Sequence, residues 1–455
     1  MQLLKSFADI AENYITGIND KPVFPFPSSL EKLTRFNEPL QDKPIAAKKI
    51  LQMLDRYGSP ATVQTSGGRY FGFVTGGSLP AAMAVKLLAT VWDQNAGLNI
   101  MSPIAALLEE ISSGWLLDLL GLAPQTAVGF VSGATMANFT AIAAARHMLL
   151  KNMGWDVEAR GLFNAPEITV IAGNEVHVSM LKALTLIGFG RERIIRIPVD
   201  NQGRMIAENI PKTGGPTLLC LQAGNVNTGA FDPLDEICKN KNGNTWIHID
   251  GAFGIWAAAS KKLKHLVKGL ESADSIATDA HKWLNTPYDC GLVFVKNQTA
   301  LFNSVSSSAA YLPESGKRDP FQFVPEMSRE ARGIPVWAAL KSLGKEGLAD
   351  MIEQHCAYAR QFATGLQKAG YEILNDVVLN QVLVSFGSPE TTLSIIKKIQ
   401  EDGSCWCGGT NWQGQTAMRI SVSSWATTEK DVKKSLSAIL KIAGSIIKKG
   451  GSPLT

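Results

Sequence analysis

The residues TDAHKWLN, 278–285, set Lys282 between His281 and Trp283, directly after the apolar run Ser275-Ile276-Ala277. A lysine at such a strand end, in a cleft near cationic or apolar groups, is expected to have a lowered pKa and so to become a nucleophile toward carbonyl carbon. The stretch HIDGAFG, 248–254, ends another apolar run in Asp250. A carboxylate there is costly without a partner, and either a local arginine or a protonated heterocycle would serve. In NEVHVSMLKAL, 174–184, His177 directly follows a third run. It reads as a core or capping histidine, or as a flat group that covers a ring. In VSGATMANFTAIAAAR, 131–146, a turn of small residues precedes Thr135 and a helical stretch. Backbone N–H groups and a hydroxyl at a helix start suit a phosphate. Tight packing of a strand against a helix asks for the same small residues. The stretch has neither a Walker Gly-Lys-Ser/Thr nor the three-glycine dinucleotide pattern.

The elements that position these groups follow from the hydrophobic pattern. Short apolar runs alternate with helical stretches at 127–133, 167–173, 216–224, 245–250, 274–278 and 291–295. Runs buried on both faces, with helices between them, predict a mainly parallel α/β sheet. Such sheets carry their sites at the carboxyl ends of the strands, where Asp250, His177 and Lys282 fall. Residues 1–20 and 40–57 have apolar positions at helical spacing around Pro22, Pro25 and Pro27, predicting two helices and a rigid link. The glycine-rich 65–81 predicts a loop, and 82–121 is helical in pattern. Beyond 331, helices mix with NQVLVSF (380–386) and AMRISVSS (417–424), as in a smaller α+β domain.

A chain of 455 residues exceeds one small core. Its formal net charge of +4 gives no bulk attraction to nucleic acid or to a membrane surface. Lys433, Lys434, Lys441, Lys448 and Lys449 recur at helical spacing beside Leu436, Ile439, Leu440 and Ile442, a solvated helix face. Six scattered cysteines lack the paired spacing of a metal or redox site, so reduced thiols, no metal and a cytoplasmic setting are expected. Neither a signal-peptide pattern nor an apolar run of membrane-spanning length is present.

Taken together, a phosphate cup, a stacking group, a buried carboxylate and a lysine are the four contacts that pyridoxal 5′-phosphate demands. The carboxylate keeps the ring nitrogen protonated, so that the ring can accept electrons. The segments HIDGAFG, ADSIATDAHKWLNTPYDCGLVFV (273–295), SGATMAN (132–138) and QAGNVNTGAFDP (222–233) resemble the group II pyridoxal-phosphate-dependent amino-acid decarboxylases, relatives of the aromatic-amino-acid and glutamate decarboxylases. The resemblance runs over about 60–455 and keeps the motif order. It implies the type I, aspartate-aminotransferase fold: a mainly parallel seven-stranded sheet in a large domain, a smaller α+β C-terminal domain and N-terminal helices. It implies a division into a helical segment 1–65 that packs across a homodimer, a cofactor domain 66–330 and a small domain 331–455.

By that resemblance, Lys282 carries the cofactor as an aldimine, Asp250 partners the pyridine nitrogen, and His177 stacks on the ring and acts in catalysis. Ala134 and Thr135 fall on the phosphate loop, Ala252 lies under the ring, and Asp279 and His281 precede the lysine. Asn225 stands where many relatives have threonine. Arg419 is the candidate partner of a substrate carboxylate, with a structural salt bridge as the alternative. Phe71, Phe73 and Thr75, beside Tyr70 and with Trp92 nearby, fall on the loop that lines the substrate pocket of such enzymes. An aromatic or otherwise apolar amino acid is the expected substrate, unless Arg419, Arg69 or Arg332 serves a second carboxylate. The expected reaction releases carbon dioxide and an amine.

One feature departs from the family. Relatives place a proton-donating tyrosine on a mobile loop, here within 303–333, whose composition suits a lid. The donor position falls at Pro320–Phe323, with Phe321 and Phe323 but no tyrosine; Tyr311 lies earlier. Either His177, Tyr311 or water protonates the carbanion, or dioxygen intercepts it and an aldehyde results. A carbon–carbon lyase of the sphingosine-phosphate type, an aminotransferase and a non-catalytic dimeric scaffold are the remaining alternatives.

Overall fold

The computed structural model describes residues 2–307 and 316–450, the side chains of 449 and 450 excepted. Two compact units emerge. The larger comprises Ser78–Ala357 and Asn375–Gln381; the other comprises Met1–Gly77, Tyr358–Leu374 and Val382–Thr455.

The larger unit is built on seven strands: β1 Ala127–Val131, β2 Thr169–Gly173, β3 Ile194–Ile197, β4 Thr217–Gln222, β5 Thr245–Asp250, β6 Ser275–Asp279 and β7 Gly291–Val295. They lie in the order β1-β7-β6-β5-β4-β2-β3. Strands β3, β2, β4, β5 and β6 pair in parallel, and β7 runs antiparallel to both its neighbours. This is the mainly parallel sheet that the apolar runs predict. Six strands coincide with those runs. The seventh, β3, sits at the sheet edge with Ile195 and Arg196 exposed, so its sequence never reads as a buried run.

Register carries chemistry to one edge of this sheet. Gln222 pairs with Asp250 and Asp250 with Ala277, so β4, β5 and β6 end side by side. The helix Ala134–Lys151 packs across β5, β6 and β7 on a buried face of Ala137, Ala141, Ala144 and Ala145. Alanine there lets the helix approach closely and brings its first turn to the strand ends. Gly291 is needed for the same approach, since a Cβ on it would meet the Gly133 carbonyl carbon at 2.4 Å.

The helical pattern over 82–121 resolves into two helices, Pro80–Trp92 and Pro103–Leu120. The break follows Asp93, whose φ of 51° ends the first helix, and Ser102 caps the second by accepting from Ala105 N. Glu109 on the second helix pairs with Arg329 at 2.7 Å, with both side chains inaccessible to solvent. Burial pushes the Glu109 carboxyl above its usual range, opposed by the guanidinium groups of Arg329, Arg318 and Arg332. Arg329 also donates to the Phe130 and Ala96 carbonyls, tying the 329 segment to the end of β1.

The second unit holds most of a four-stranded sheet of β8 Glu372–Ile373, β9 Gln381–Ser385, β10 Gly408–Trp412 and β11 Gln415–Ser421, in the order β10-β11-β9-β8. β10 and β11 form a hairpin closed by Gln413 and Gly414, both with positive φ, as a tight two-residue turn requires. The glycine-rich 65–81 is a loop up to Pro80, as expected. Within it, Phe71 N donates to the Trp406 carbonyl, and the Phe71 carbonyl accepts from Ser421 N.

The buried ion pair gives a test of the larger unit. Arg329→Met strands the Glu109 charge and is expected to cost about 3–5 kcal/mol in urea denaturation. The double change Glu109→Gln, Arg329→Met should recover part of that loss. A single variant as stable as the parent would show the pair to be dispensable.

Candidate active site

Lys282 lies just beyond β6. Its Nζ stands 2.9 Å from Asp279 Oδ2, the last residue of that strand. Asp279 Oδ1 accepts from Ala134 N at 2.6 Å, so the carboxylate bridges the lysine and the first residue of the helix Ala134–Lys151. Thr135 is the next residue of that helix. Burial works against the Lys282 ammonium, yet Asp279, and more weakly Asp250, outweigh it and raise the lysine above its ordinary pKa. The lowered pKa expected from the sequence is therefore corrected. The cleft supplies carboxylates, where a depressed value needs cationic or apolar surroundings.

His281 Nδ1 accepts from Cys290 N, which leaves the proton on Nε2, 3.5 Å from Asp279 Oδ1. Burial, aided by the Lys282 charge, lowers the His281 pKa against the pull of Asp279, and the ring is neutral at pH 7. The Tyr288 ring lies 4.5 Å from it, centroid to centroid.

Asp250 ends β5 and is 4% exposed. No arginine pairs with it among the described residues. Its Oδ1 accepts from Ala252 N at 3.2 Å and its Oδ2 from Asn138 Nδ2 at 3.1 Å. Behind Asn138 stands a buried relay that the motifs in the sequence do not single out. Trp246 Nε1 donates to Ser275 Oγ, which meets His248 Nδ1 at 2.9 Å, and His248 Nε2 meets Asn138 Oδ1 at 2.9 Å. Burial drives His248 down to about 3, so its ring is neutral. Only one proton arrangement satisfies every group: Ser275 donates to Nδ1, Nε2–H donates to the Asn138 carbonyl oxygen, and the Asn138 amide donates to Asp250. The available signal was a histidine and an asparagine inside otherwise apolar or alanine-rich runs.

His177 caps the helix Val178–Leu186, its Nδ1 accepting from Ser179 N at 3.2 Å. The cap is the structural role expected of a lone histidine, and it fixes the imidazole just past the end of β2. Asn225 Oδ1 accepts from Asn227 N and Thr228 N, so its side chain braces the turn after β4.

The predicted substrate-side residues Phe71, Phe73, Thr75 and Arg419 belong to the other unit. Trp406 stacks on Tyr70 at 5.0 Å and lies 5.4 Å from Phe73; Phe71 is buried edge-on against Phe362. Gly72 makes room for this stack, since a Cβ there would meet the Trp406 ring at 2.2 Å. Thr75 is buried on the same loop, and Trp92, in the larger unit, is 41% exposed. Arg419 stands on β11, opposite Gly408; burial lowers its pKa and the Tyr70 phenol opposes that. Two other arginines are committed elsewhere. Arg69 donates to the Ser404 and Asn19 carbonyls, and Arg332 pairs with Asp289 at 3.0 Å.

The expected lid is partly a packed segment. Phe321 and Phe323 form a short 3-10 turn and are buried, with the Arg318 guanidinium 3.8 Å above the Phe323 ring. Tyr311 lies outside the described residues. All six cysteines are unbridged, and no metal-holding cluster occurs among the described residues. No described helix is long and apolar enough to cross a membrane.

Comparison with known proteins decides the family. The family model for the pyridoxal-dependent decarboxylase conserved domain matches residues 29–387. The chain belongs to that family. It is 28% identical to an aromatic-L-amino-acid decarboxylase from Bacillus atrophaeus, over 94% of this chain and 92% of that one. It is also 28% identical to an acidic amino acid decarboxylase from Xenopus tropicalis, over 76% and 70%, and to a phenylacetaldehyde synthase from Petunia hybrida, over 78% and 73%. The fold matches Oryza sativa TDC solved with PLP and tryptamine, at a TM-score of 0.90 and 20% identity, covering 98% and 97% of the two chains. Mouse CSAD matches at 0.89 and 21% identity, covering 97% and 98%. The protein is thus a pyridoxal-phosphate-dependent amino-acid decarboxylase of type I fold.

The residues present suit that cofactor. The donor set combines a helix start for an anion, a buried carboxylate at a parallel strand end for a ring cation, and a lysine whose charge both carboxylates sense. All of it lies within the larger unit of this decarboxylase. The relay behind Asp250 is testable. Asn138→Leu orphans the His248 N–H and one Asp250 oxygen, and should cost about 1–3 kcal/mol in thermal or urea unfolding while weakening cofactor retention. An unchanged stability would mean that water or a neighbour replaces the amide.

Proposed function

We propose that this decarboxylase converts an L-amino acid with an aromatic or otherwise apolar side chain to the amine and carbon dioxide, with Lys282 bonding the cofactor aldehyde. The observation that carries the reading is the buried cluster of Lys282, Asp279 and Asp250 at the ends of adjacent strands. Bound pyridoxal phosphate supplies the electron sink that accepts the bonding pair when carbon dioxide leaves. Ala134 and Thr135 would hold its phosphate, Asp250 the ring nitrogen, and His177 and Ala252 the two ring faces, with Asn225 and His281 completing the shell and Asp279 bordering both the phosphate seat and Lys282. Asp250, kept an acceptor by two neutral N–H donors, holds a proton on the ring nitrogen.

Phe71, Phe73 and Thr75 are assigned to the substrate side chain, and Arg419 to its carboxylate. Support for an apolar substrate comes from the commitment of Arg69 and Arg332 to partners from distant parts of the chain, which leaves neither to serve a second carboxylate. A second reading, oxidative release of an aldehyde, has its own support: Phe321 and Phe323 occupy the donor position and have no proton to give. The assembly assigned is a homodimer. The helix Gln2–Thr16 has no buried residue and exposes Leu3, Leu4, Phe7 and Ile15, a face that a second copy would cover. The three-segment division at 65 and 330 and the cytoplasmic setting, consistent with six free thiols, belong to the same proposal.

Lys282→Ala should lose the absorption of the bound cofactor; an unchanged spectrum removes Lys282 from that role. Asp250→Asn should retain cofactor and lose turnover by about 100-fold or more, since a neutral ring is a poorer electron acceptor. An amino-acid panel that follows carbon dioxide, ammonia and peroxide together separates the outcomes. Carbon dioxide alone, from aromatic substrates, is the expected result. All three products mean aldehyde synthesis, and turnover of an acidic amino acid alone overturns the substrate assignment.

A further inference from the structure

Asp279 presents an unusual demand on the cofactor cup. The N–H at the start of the eighteen-residue helix Ala134–Lys151 is a natural seat for an anion, and the anion that takes it is a carboxylate of the chain itself, at 2.6 Å. The other oxygen of the same carboxylate holds the Lys282 ammonium at 2.9 Å. The side chain is 3% exposed, and its backbone is fixed by Asp279 N donating to the Ala252 carbonyl at 2.9 Å. A carboxylate so anchored cannot move far from a phosphate seated at the helix start.

We propose that Asp279 is an internal competitor of the cofactor, holding both the N–H that its phosphate would take and the amine that its aldehyde would take. The inference depends on the cofactor assignment above and deepens it. Two carboxylates near one lysine need not act alike. Asp250 lies at the end of β5 among neutral donors, whereas Asp279 sits where an incoming dianion would be repelled, and weak screening in a buried site enlarges that repulsion. An amine bonds to an aldehyde only after losing a proton, and the ion pair with Asp279 keeps that proton on Lys282. Asp279 thereby sets how readily this decarboxylase captures and releases cofactor, apart from any part in turnover. His281, neutral and 3.5 Å from the same carboxylate, adds no charge to offset it.

The test uses the full chain, dialysed free of cofactor, as wild type, Asp279→Asn and Asp279→Ala, each checked by thermal unfolding. Affinity for inorganic phosphate is measured by its slowing of pyridoxal 5′-phosphate capture, followed by absorbance. Pyridoxal, which has the aldehyde but no phosphate, is run in parallel. Both variants are expected to bind inorganic phosphate about tenfold tighter or more, and to capture pyridoxal 5′-phosphate faster by a larger factor than pyridoxal. Phosphate affinity that is unchanged or weaker in folded variants overturns the proposal, because the carboxylate would then be neutral toward the anion or would assist it. If one variant fails to fold, the other decides. Wild-type protein that captures neither aldehyde sinks the cofactor assignment instead. Direct calorimetric titration of phosphate then still decides whether Asp279 opposes an anion.

Discussion

The arrangement depends on one constraint: a carboxylate buried at the end of β5 must stay an acceptor with no positive side chain paired to it. Asp250 meets this through dipoles. Two neutral N–H groups point at it, one from its own turn and one from Asn138. Asn138 in turn is oriented by His248, and His248 by Ser275 and Trp246. Each member has a single satisfying orientation because the ring of His248 is neutral. The relay runs from β6 through β5 to the helix Ala134–Lys151, so orienting one carboxylate also locks three elements together. Buried polar networks of this kind are specific because an unmade bond is costly.

The second carboxylate behaves differently because its neighbours do. Asp279 faces a lysine, a histidine and a helix start, and it responds as a charge, whereas Asp250 responds as a hydrogen-bond acceptor. Both sit at the carboxyl edge of parallel strands, where the register Asp250 to Ala277 sets β5 and β6 in step. A one-residue slip in either strand would turn one of these side chains to the opposite face of the sheet. The short glycine contact between Gly291 and Gly133 protects the register of β7 and the entry of the helix at once.

Membership of the decarboxylase family fixes the cofactor and the bond that is broken, and relatives with aromatic, acidic and aldehyde-forming activities share similar identity with this chain. Overall identity therefore does not discriminate among those activities. The smaller unit gathers aromatic groups about Trp406, and in the larger unit the turn at 320–323 holds phenylalanine in its interior. A buried phenyl ring serves packing, and Arg318 resting on Phe323 strengthens that role.

The sequence by itself determined the large sheet, six of its seven strands, the place of Lys282 and Asp250 at strand ends, and the family. It did so because buried parallel strands leave unbroken apolar runs, and because the segments that resemble the family are short local motifs. Tertiary structure alone decided the rest. It paired Asp279 with Lys282 and so reversed the direction of the lysine pKa. It supplied Asp250 with amides where an arginine had been an option, and it committed Arg69 and Arg332 to partners far away in the chain. It also revealed β3 and β10, whose exposed edge and glycines hide them from periodicity. The common reason is that charge and hydrogen bonding depend on neighbours brought together from distant positions, which local pattern does not encode.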